Sequence, residues 1–155
     1  MTARARLQEG LGVLSSEHPD LGFSKIDTKL LDYLDLLNRW NSKFNLTAIK
    51  GGYEQVSKHL LGSLAVVPYL SSGSLIDVGT GAGLPGVPIA VVCPQKSVTL
   101  LDSNGKKTRF LLEVKARLKL DNVCVINTRV EDFRSEIFDE LVLSLIHISE
   151  PTRPY

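Results

Sequence analysis

The sequence predicts an α/β fold with a helical N-terminal cap in front of an open parallel sheet. From Ser74 onward, short runs rich in β-branched residues alternate with helical stretches, and a glycine-rich segment follows the first run. Strands that alternate with helices of about 10 to 16 residues indicate right-handed crossovers and therefore parallel strands. We expect the cap over residues 1–72 and the core over residues 73–142.

Two amphipathic helices are predicted in the cap, at 28–45 and 53–70. The first carries apolar residues at the 3, 4 and 7 spacing of a helix face, and Asp27 or Thr28 could cap its start. Its stripe consists of Leu30, Leu34, Leu37, Asn41 and Phe44, with Tyr33 and Trp40 beside it. The second should turn Val56, Leu60, Leu64 and Val67 inward. Trp40 is interpreted as core packing rather than as a platform for an RNA base.

Composition is typical of a soluble globular protein, with 43% hydrophobic and 23% charged residues. Eighteen Lys and Arg residues against 17 acids leave a net charge of +1, so any attraction to nucleic acid must be local. Cys93 and Cys124 lack C-x-x-C spacing and are expected to be reduced core thiols. Neither a signal peptide nor an apolar run of about 18 residues is evident, so we expect a cytoplasmic, metal-free protein without membrane association.

The glycine-rich segment "LIDVGTGAGLPGVP", residues 75–88, fits two patterns. One is D-x-G-x-G-x-G from Asp77 through Gly79, Gly81 and Gly83; the other is the dinucleotide pattern G-x-G-x-x-G ending at Gly86. A carboxylate at the end of the first strand would repel a pyrophosphate but would suit a cationic group. Asp77 therefore favours the α-ammonium of S-adenosylmethionine, which contains no phosphate.

Two further acids follow the next two strands. Asp102 ends "SVTLLD", where it could accept hydrogen bonds from both ribose hydroxyls of a nucleoside, although NAD would use it equally and it could instead cap the next helix. Glu131 follows "NTRV" at the carboxyl edge of the sheet, where ligands of open α/β folds bind. It could accept from an adenine amino group, or simply be a solvated acid at the start of a helix.

With these residues in view, the chain resembles the RsmG family, also called GidB, of bacterial methyltransferases. The resemblance covers most of residues 30–142, and "GTGAGLPGVP" followed by "LLDSNGKKTRFL" is its most specific part. It implies a Rossmann-like class I methyltransferase fold and transfer of a methyl group from S-adenosylmethionine to N7 of a guanine in small-subunit ribosomal RNA. It also implies cofactor contacts at Gly79, Leu84, Val130 and Glu131, and we expect the intact protein to be monomeric.

The chain departs from the family pattern in two places. Gly62 in "HLLGS" stands where the family usually has an acid, and the family's "FD-x-V-x-S-R-A" segment, with its arginine, is not continued after "FDELV". The last residues, 143–155, resemble a translated sequencing adapter, so we expect a non-native tail, a sheet incomplete at its C-terminal end, and weak or no activity.

Guanine N7 carries a free lone pair and no proton, so no catalytic acid or base is expected and the rate should come from positioning. RNA would be held by basic residues at the start of the helix over "GKKTRFLLEVKARLKL", above all Lys106, Lys107 and Arg109. Lys58 and His59 could approach from the cap, although most charges on these helices could equally be solvated. A non-catalytic adenosyl-binding module and a nicotinamide-dependent oxidoreductase remain as alternatives.

Overall fold

The structure is a computed structural model that describes residues 1–134 and 138–143. The predicted non-native tail, 143–155, lies outside the described residues apart from the backbone of Leu143.

Two helices open the cap. Helix α1 spans Ala3–Glu17, and its N-cap Thr2 accepts a hydrogen bond from the Ala5 amide at 3.1 Å. Helix α2 spans Asp27–Asn41 and buries the predicted stripe, including Leu30 and Leu37. The predicted N-cap is wrong, because the capping position is Ile26 and no side chain caps this end.

Helix α2 also ends earlier than the predicted residue 45. The buried side chain of Asn41 explains this end, since its Oδ1 accepts from the amides of Leu46 and Thr47 at 2.8 and 3.0 Å. These bonds fold the following segment back against the helix, so Phe44 packs against the core from a turn rather than from the helix.

The second predicted helix is a composite. It consists of α3 (Gly52–Gln55), a π-helical stretch (Val56–Leu61) and α4 (Gly62–Leu64), followed by a 3₁₀ turn (Val67–Tyr69). The four residues predicted to face inward are buried: Val56, Leu60, Leu64 and Val67. The periodicity therefore identified the correct face, although a π-helical segment has no signature in apolar spacing.

A four-stranded parallel sheet follows, in the order β3-β2-β1-β4. Its strands are β1 (Leu75–Val78), β2 (Val98–Asp102), β3 (Val123–Asn127) and β4 (Glu140–Leu143). Helix α5 (Gly86–Val92) connects β1 to β2, helix α6 (Gly105–Leu118) connects β2 to β3, and a 3₁₀ turn (Val130–Asp132) follows β3. The predicted alternation of strands and helices is confirmed.

The cap and the sheet share one hydrophobic core. Helix α2 packs on α6, where the Tyr33 and Trp40 rings lie 6.3 and 5.7 Å from the Phe110 ring. The Trp40 indole also donates to the Glu113 carboxylate at 2.6 Å. Trp40 packs against the core, as predicted. The expectation of two core thiols holds for Cys93 but is wrong for Cys124, which is exposed on β3, where neighbouring residues alternate between the two faces of the sheet.

Candidate functional site

The segment between β1 and α5, residues 79–85, forms a tight loop at the carboxyl edge of the sheet. Three of its glycines have positive φ, with +65° at Gly79, +59° at Gly81 and +92° at Gly83. Side chains with a Cβ adopt this region at a cost, so the glycines allow the chain to reverse here. The Thr80 amide donates to the Leu101 carbonyl at 3.1 Å, which holds the loop against β2.

Asp77 lies directly behind this loop and is fully buried. Its Oδ2 accepts from the Thr80 hydroxyl at 2.7 Å and from the Gly86 amide at 2.9 Å. Its Oδ1 is buried and has no hydrogen-bond partner among the described residues. One oxygen therefore ties the two ends of the loop together, while the other is left without a donor among the described residues.

Burial raises the pKa of the Asp77 carboxyl to about 7, against the lowering effects of its bonds to Thr80 and Gly86. An approaching cation would favour the charged form and lower this pKa. The carboxyl thus titrates near neutral pH, where a positive charge on the ligand side of the loop could shift its protonation.

The cap reaches the loop through Tyr33 of helix α2. The Tyr33 hydroxyl is buried and donates to the Ala82 carbonyl at 2.6 Å. Burial, and to a lesser extent the nearby Asp77 carboxylate, raises the pKa of Tyr33, so its hydroxyl remains a donor. Apolar spacing predicted a core position for Tyr33, but its bond to a loop 49 residues away could not be read from spacing.

Asp102, at the end of β2, touches the loop from the other side. Its Oδ2 accepts from the Gly81 amide and its Oδ1 from the Asn104 amide, at 2.9 and 2.8 Å. It does not cap α6, because the Asn104 side chain does so by accepting from the amides of Lys106 and Lys107. A carboxylate offers about four acceptor positions, so half-buried Asp102 keeps capacity for two more donors.

These elements enclose a crevice of about 470 Å³ at the carboxyl ends of β1, β2 and β3. Its walls come from the strand ends, the turns after them and the start of helix α6: Val78, Gly79, Leu101, Asp102, Ser103, Lys107, Thr128, Arg129, Val130 and Glu131. The volume lies in the range of about 300 to 1,000 Å³ typical of small-molecule sites.

The predicted cofactor residues divide into two groups of four. Gly79, Asp102, Val130 and Glu131 line the crevice. The other group is buried behind or within the loop: Asp77, Gly81, Gly83 and Leu84. The lining residues that the sequence reasoning missed, such as Ser103 and Arg129, directly follow or precede predicted ones, so their position at a strand end was the available signal.

The predicted RNA-binding residues differ in position. Lys107 lines the crevice and, together with Lys106, a second cavity, while Arg109 is exposed on α6 outside both. Of the two possible contacts from the cap, Lys58 is exposed and pairs with Glu54 at 2.6 Å. His59 is buried with its Nε2 at 2.9 Å from the Thr47 hydroxyl, so an approach of this imidazole to RNA is not possible in the observed arrangement.

No group of three or more potential metal ligands occurs within residues 1–134 and 138–143. In the same ranges, no helix is both long and apolar enough to cross a membrane.

The fold is a Rossmann-like methyltransferase fold. A solved structure of coclaurine N-methyltransferase, bound to N-methylheliamine and SAH, matches with a TM-score of 0.50 at 13% identity over 90% of this chain and 50% of that chain. Parallel strands with a crevice at their carboxyl edge agree with this class of architecture.

The chain belongs to the GidB family, described as rRNA small subunit methyltransferase G, whose model matches residues 26–144. Curated relatives named ribosomal RNA small subunit methyltransferase G include those of Hydrogenovibrio crunogenus, 55% identical over 76% of this chain, and Pseudomonas aeruginosa strain LESB58, 56% identical over 74%. The match covers 54% of each relative, so the chain spans about half the length of the curated relatives it matches. The predicted resemblance is confirmed.

Proposed function

We propose that this chain is the S-adenosylmethionine-binding part of an enzyme that methylates N7 of a guanine in small-subunit ribosomal RNA. The observation that carries the cofactor assignment is the pairing of Asp102 with the bare backbone of Gly79 in one crevice. A half-buried carboxylate with free lone pairs is a suitable acceptor for ribose hydroxyls. Membership in the family supports the methyltransferase activity and the RNA substrate.

Asp77 favours S-adenosylmethionine over a dinucleotide. Its Oδ1 has no partner among the described residues, so the loop offers a pyrophosphate no positive charge from this side, and the carboxylate form of Asp77 would repel one. Asp77 is fully buried, and it therefore acts on the α-ammonium from behind the loop; direct contact requires the loop to move. Gly81 and Gly83 shape this loop, and Leu84 in the same loop is buried.

Val130 and Glu131 complete the proposed site from the turn after β3. Val130 is 55% exposed, which makes it an apolar surface available for an adenine ring, and Glu131 supplies an acceptor for an exocyclic amino group. In the sheet, β2 lies between β3 and β1, so these two residues and the glycine loop, residues 79–85, lie on opposite sides of Asp102. A nucleoside that spans three strand ends would need this arrangement.

When bound, S-adenosylmethionine supplies an electrophilic methyl group on its sulfonium. Guanine N7 has a free lone pair and carries no proton. The methyl group would pass to it as the S–CH3 bond breaks and S-adenosylhomocysteine leaves, so no side chain of this chain would need to remove a proton. The work of the side chains is to hold donor and acceptor in line, a contribution of about 7 to 11 kcal/mol in well-oriented reactions. Lys107 lines the same crevice and could hold the RNA at this edge, together with Lys106 and Arg109 on the same helix.

The cofactor assignment is tested by calorimetry with S-adenosylmethionine, S-adenosylhomocysteine and NAD. We expect both adenosyl compounds to bind and the Asp102→Ala variant to bind about 10- to 100-fold more weakly, because hydrogen bonds to a charged group are removed. Asp121→Asn, which replaces an exposed acid outside the crevice, is the control and should bind normally. Preferential binding of NAD would refute the assignment.

The activity is tested by methyl incorporation into small-subunit ribosomal RNA, with cleavage at N7-methylguanine to locate the product. This chain is compared with a version extended to the full length of its relatives. Incorporation at guanine N7 by the extended version supports the proposal, and incorporation at another atom contradicts it.

A further inference from the structure

A second cavity of about 260 Å³ lies where the cap meets the core. One wall is the segment after helix α2, with Lys43, Phe44 and Asn45; the other is the start of helix α6, with Asn104, Lys106 and Lys107. We call it the junction cavity. It is distinct from the crevice, but the two are neighbours because Lys107 lines both.

The junction cavity is strongly basic. Three lysines share its walls, and no acidic side chain from residues 1–134 or 138–143 lines it. Within the described part of the chain, none of the three has a carboxylate oxygen within 4 Å of its ammonium group, whereas Lys58 and Lys96 do. Three positive charges around so small a volume repel one another, and an anion in the cavity would relieve that repulsion.

The arrangement of the lysines favours a phosphate group. Lys106 lies over the Phe44 ring, with 5.1 Å between its Nζ and the ring centroid, so a cation–π interaction restrains it at the wall. The Asn104 side chain already caps the first amides of α6, and recognition must therefore come from the lysine side chains and the polar Asn45. Lysine binds phosphate as a point charge, without demanding one fixed geometry.

The proximity of the two cavities indicates which phosphate is bound. A base must leave its stack to reach a cofactor held in a crevice, and the adjoining backbone would then lie at the mouth of the crevice. We propose that the junction cavity binds a phosphodiester of the RNA strand next to the target guanine, with Lys43 of the cap and Lys106 of the core as its two main cations. This inference rests on the proposed function and gives the cap a direct part in binding substrate.

Affinity for a short single-stranded RNA oligonucleotide, measured as a function of salt concentration, tests the inference. The double variant Lys43→Gln/Lys106→Gln removes two cations from the junction cavity and none from the crevice. We expect RNA affinity to fall about tenfold, and the slope of log K against log salt to become shallower by about 0.7 for each phosphate that is no longer neutralised. Affinity for S-adenosylmethionine should not change.

The matched control is Lys29→Gln/Lys115→Gln, which also removes one cation from the cap and one from α6 but lies outside both cavities. The inference is overturned if this control reduces RNA affinity as much as the test variant does, since diffuse surface charge would then explain the binding. It is also overturned if the test variant keeps the original affinity and slope, or if the unmodified chain does not bind RNA. Failure of the proposed function is separately visible as absence of S-adenosylmethionine binding.

Discussion

The loop of residues 79–85, the glycine loop, has one face that is closely packed and one that is open. Its underside, formed with Asp77, Gly83, Gly86 and Tyr33, is packed against β1, α5 and the cap. Its crevice face, where Gly79 adjoins Asp102, borders an open cavity. A side chain added on the underside would meet protein atoms, whereas one added at Gly79 would meet none of the described atoms within 4 Å.

The two aspartates show the same contrast. Asp77 is fully buried, and one of its oxygens has no partner among the described residues, while Asp102 is half-buried with both oxygens bonded to backbone amides and lone pairs to spare. The glycines of the loop and the two aspartates beside it thus serve two purposes. Those on the underside hold the loop in shape, and those on the crevice face would contact the ligand in the proposed site.

Adding a methyl group on the packed underside of the loop should reduce stability more than any other change considered. In Gly83→Ala, the new Cβ would lie 2.6 Å from Val87 Cγ2 and 2.8 Å from Leu111 Cδ2, in a backbone with φ of +92°. Overpacking and the positive φ together should lower the free energy of unfolding by about 2 to 5 kcal/mol in urea denaturation.

Gly79→Ala is the matched change on the crevice face. Its φ is +65° but its surroundings are open, so we expect the free energy of unfolding to fall by only about 1 to 2 kcal/mol from backbone strain. Affinity for S-adenosylmethionine, by contrast, should fall in this variant because the methyl group projects at the wall of the crevice. Equal destabilisation by the two substitutions would remove the distinction between the faces.

After Gly83→Ala, Asp77→Asn should produce the next largest effect on stability, and one that depends on pH. The pKa of this carboxyl is raised from 3.8 to about 7 in the folded chain. Between these values the folded state holds a proton that the unfolded state has released, so the contribution of Asp77 to stability decreases as pH rises and levels off above about pH 7. The difference in unfolding free energy between wild type and variant should change by about 2 to 4 kcal/mol over that interval.

Binding gives an independent measurement on the same variant. A cationic ligand lowers the pKa of Asp77, so its affinity for wild type should rise between about pH 6 and pH 8 relative to Asp77→Asn. Burial lowers the pKa of His59, so the contribution of His59 to stability increases as pH rises, opposite to that of Asp77. His59 is present in both proteins, so its contribution cancels in their difference. If the difference in affinity between wild type and Asp77→Asn does not change with pH over this range, the bound ligand has no positive charge near the carboxyl.

Most of the fold, and the edge of the sheet that holds the site, could be predicted from the sequence. Apolar periodicity identified the buried face of α2, and β-branched runs identified four parallel strands, because burial and pleat impose those periods. The position of Asp102 and Glu131 at the crevice could be predicted because parallel strands bring their carboxyl ends to one edge. The π-helical turn and the early end at Asn41 were missed, since they depend on hydrogen bonds that apolar spacing does not encode.

Which face of the loop each residue occupies could not be predicted. Asp77 and Gly79 are two residues apart, yet one is enclosed and the other borders the crevice. That division is set by positive φ angles and by the packing of α2 and α5, which come from distant parts of the chain. For the same reason Lys43, 63 positions before Lys106, was not recognised as its neighbour across the junction cavity.

The smallest expected effect concerns the cap as a support for the loop. Tyr33→Phe removes the bond to the Ala82 carbonyl while keeping the ring packed on Phe110. Stability should fall by about 1 kcal/mol, and the buried carbonyl left without a donor should let the loop shift. We therefore expect S-adenosylmethionine to bind about 3- to 10-fold more weakly, as measured by calorimetry.

Trp40→Phe supplies the control for that measurement. It removes a hydrogen bond of the same 2.6 Å length from the same helix, between the indole and Glu113, at a place that does not touch the loop. If Tyr33 acts only through the docking of α2 on α6, both variants should bind S-adenosylmethionine more weakly, in proportion to their loss of stability. If it positions the loop, Trp40→Phe should reduce stability alone, because the Ala82 carbonyl keeps its donor and the underside of the loop remains closed.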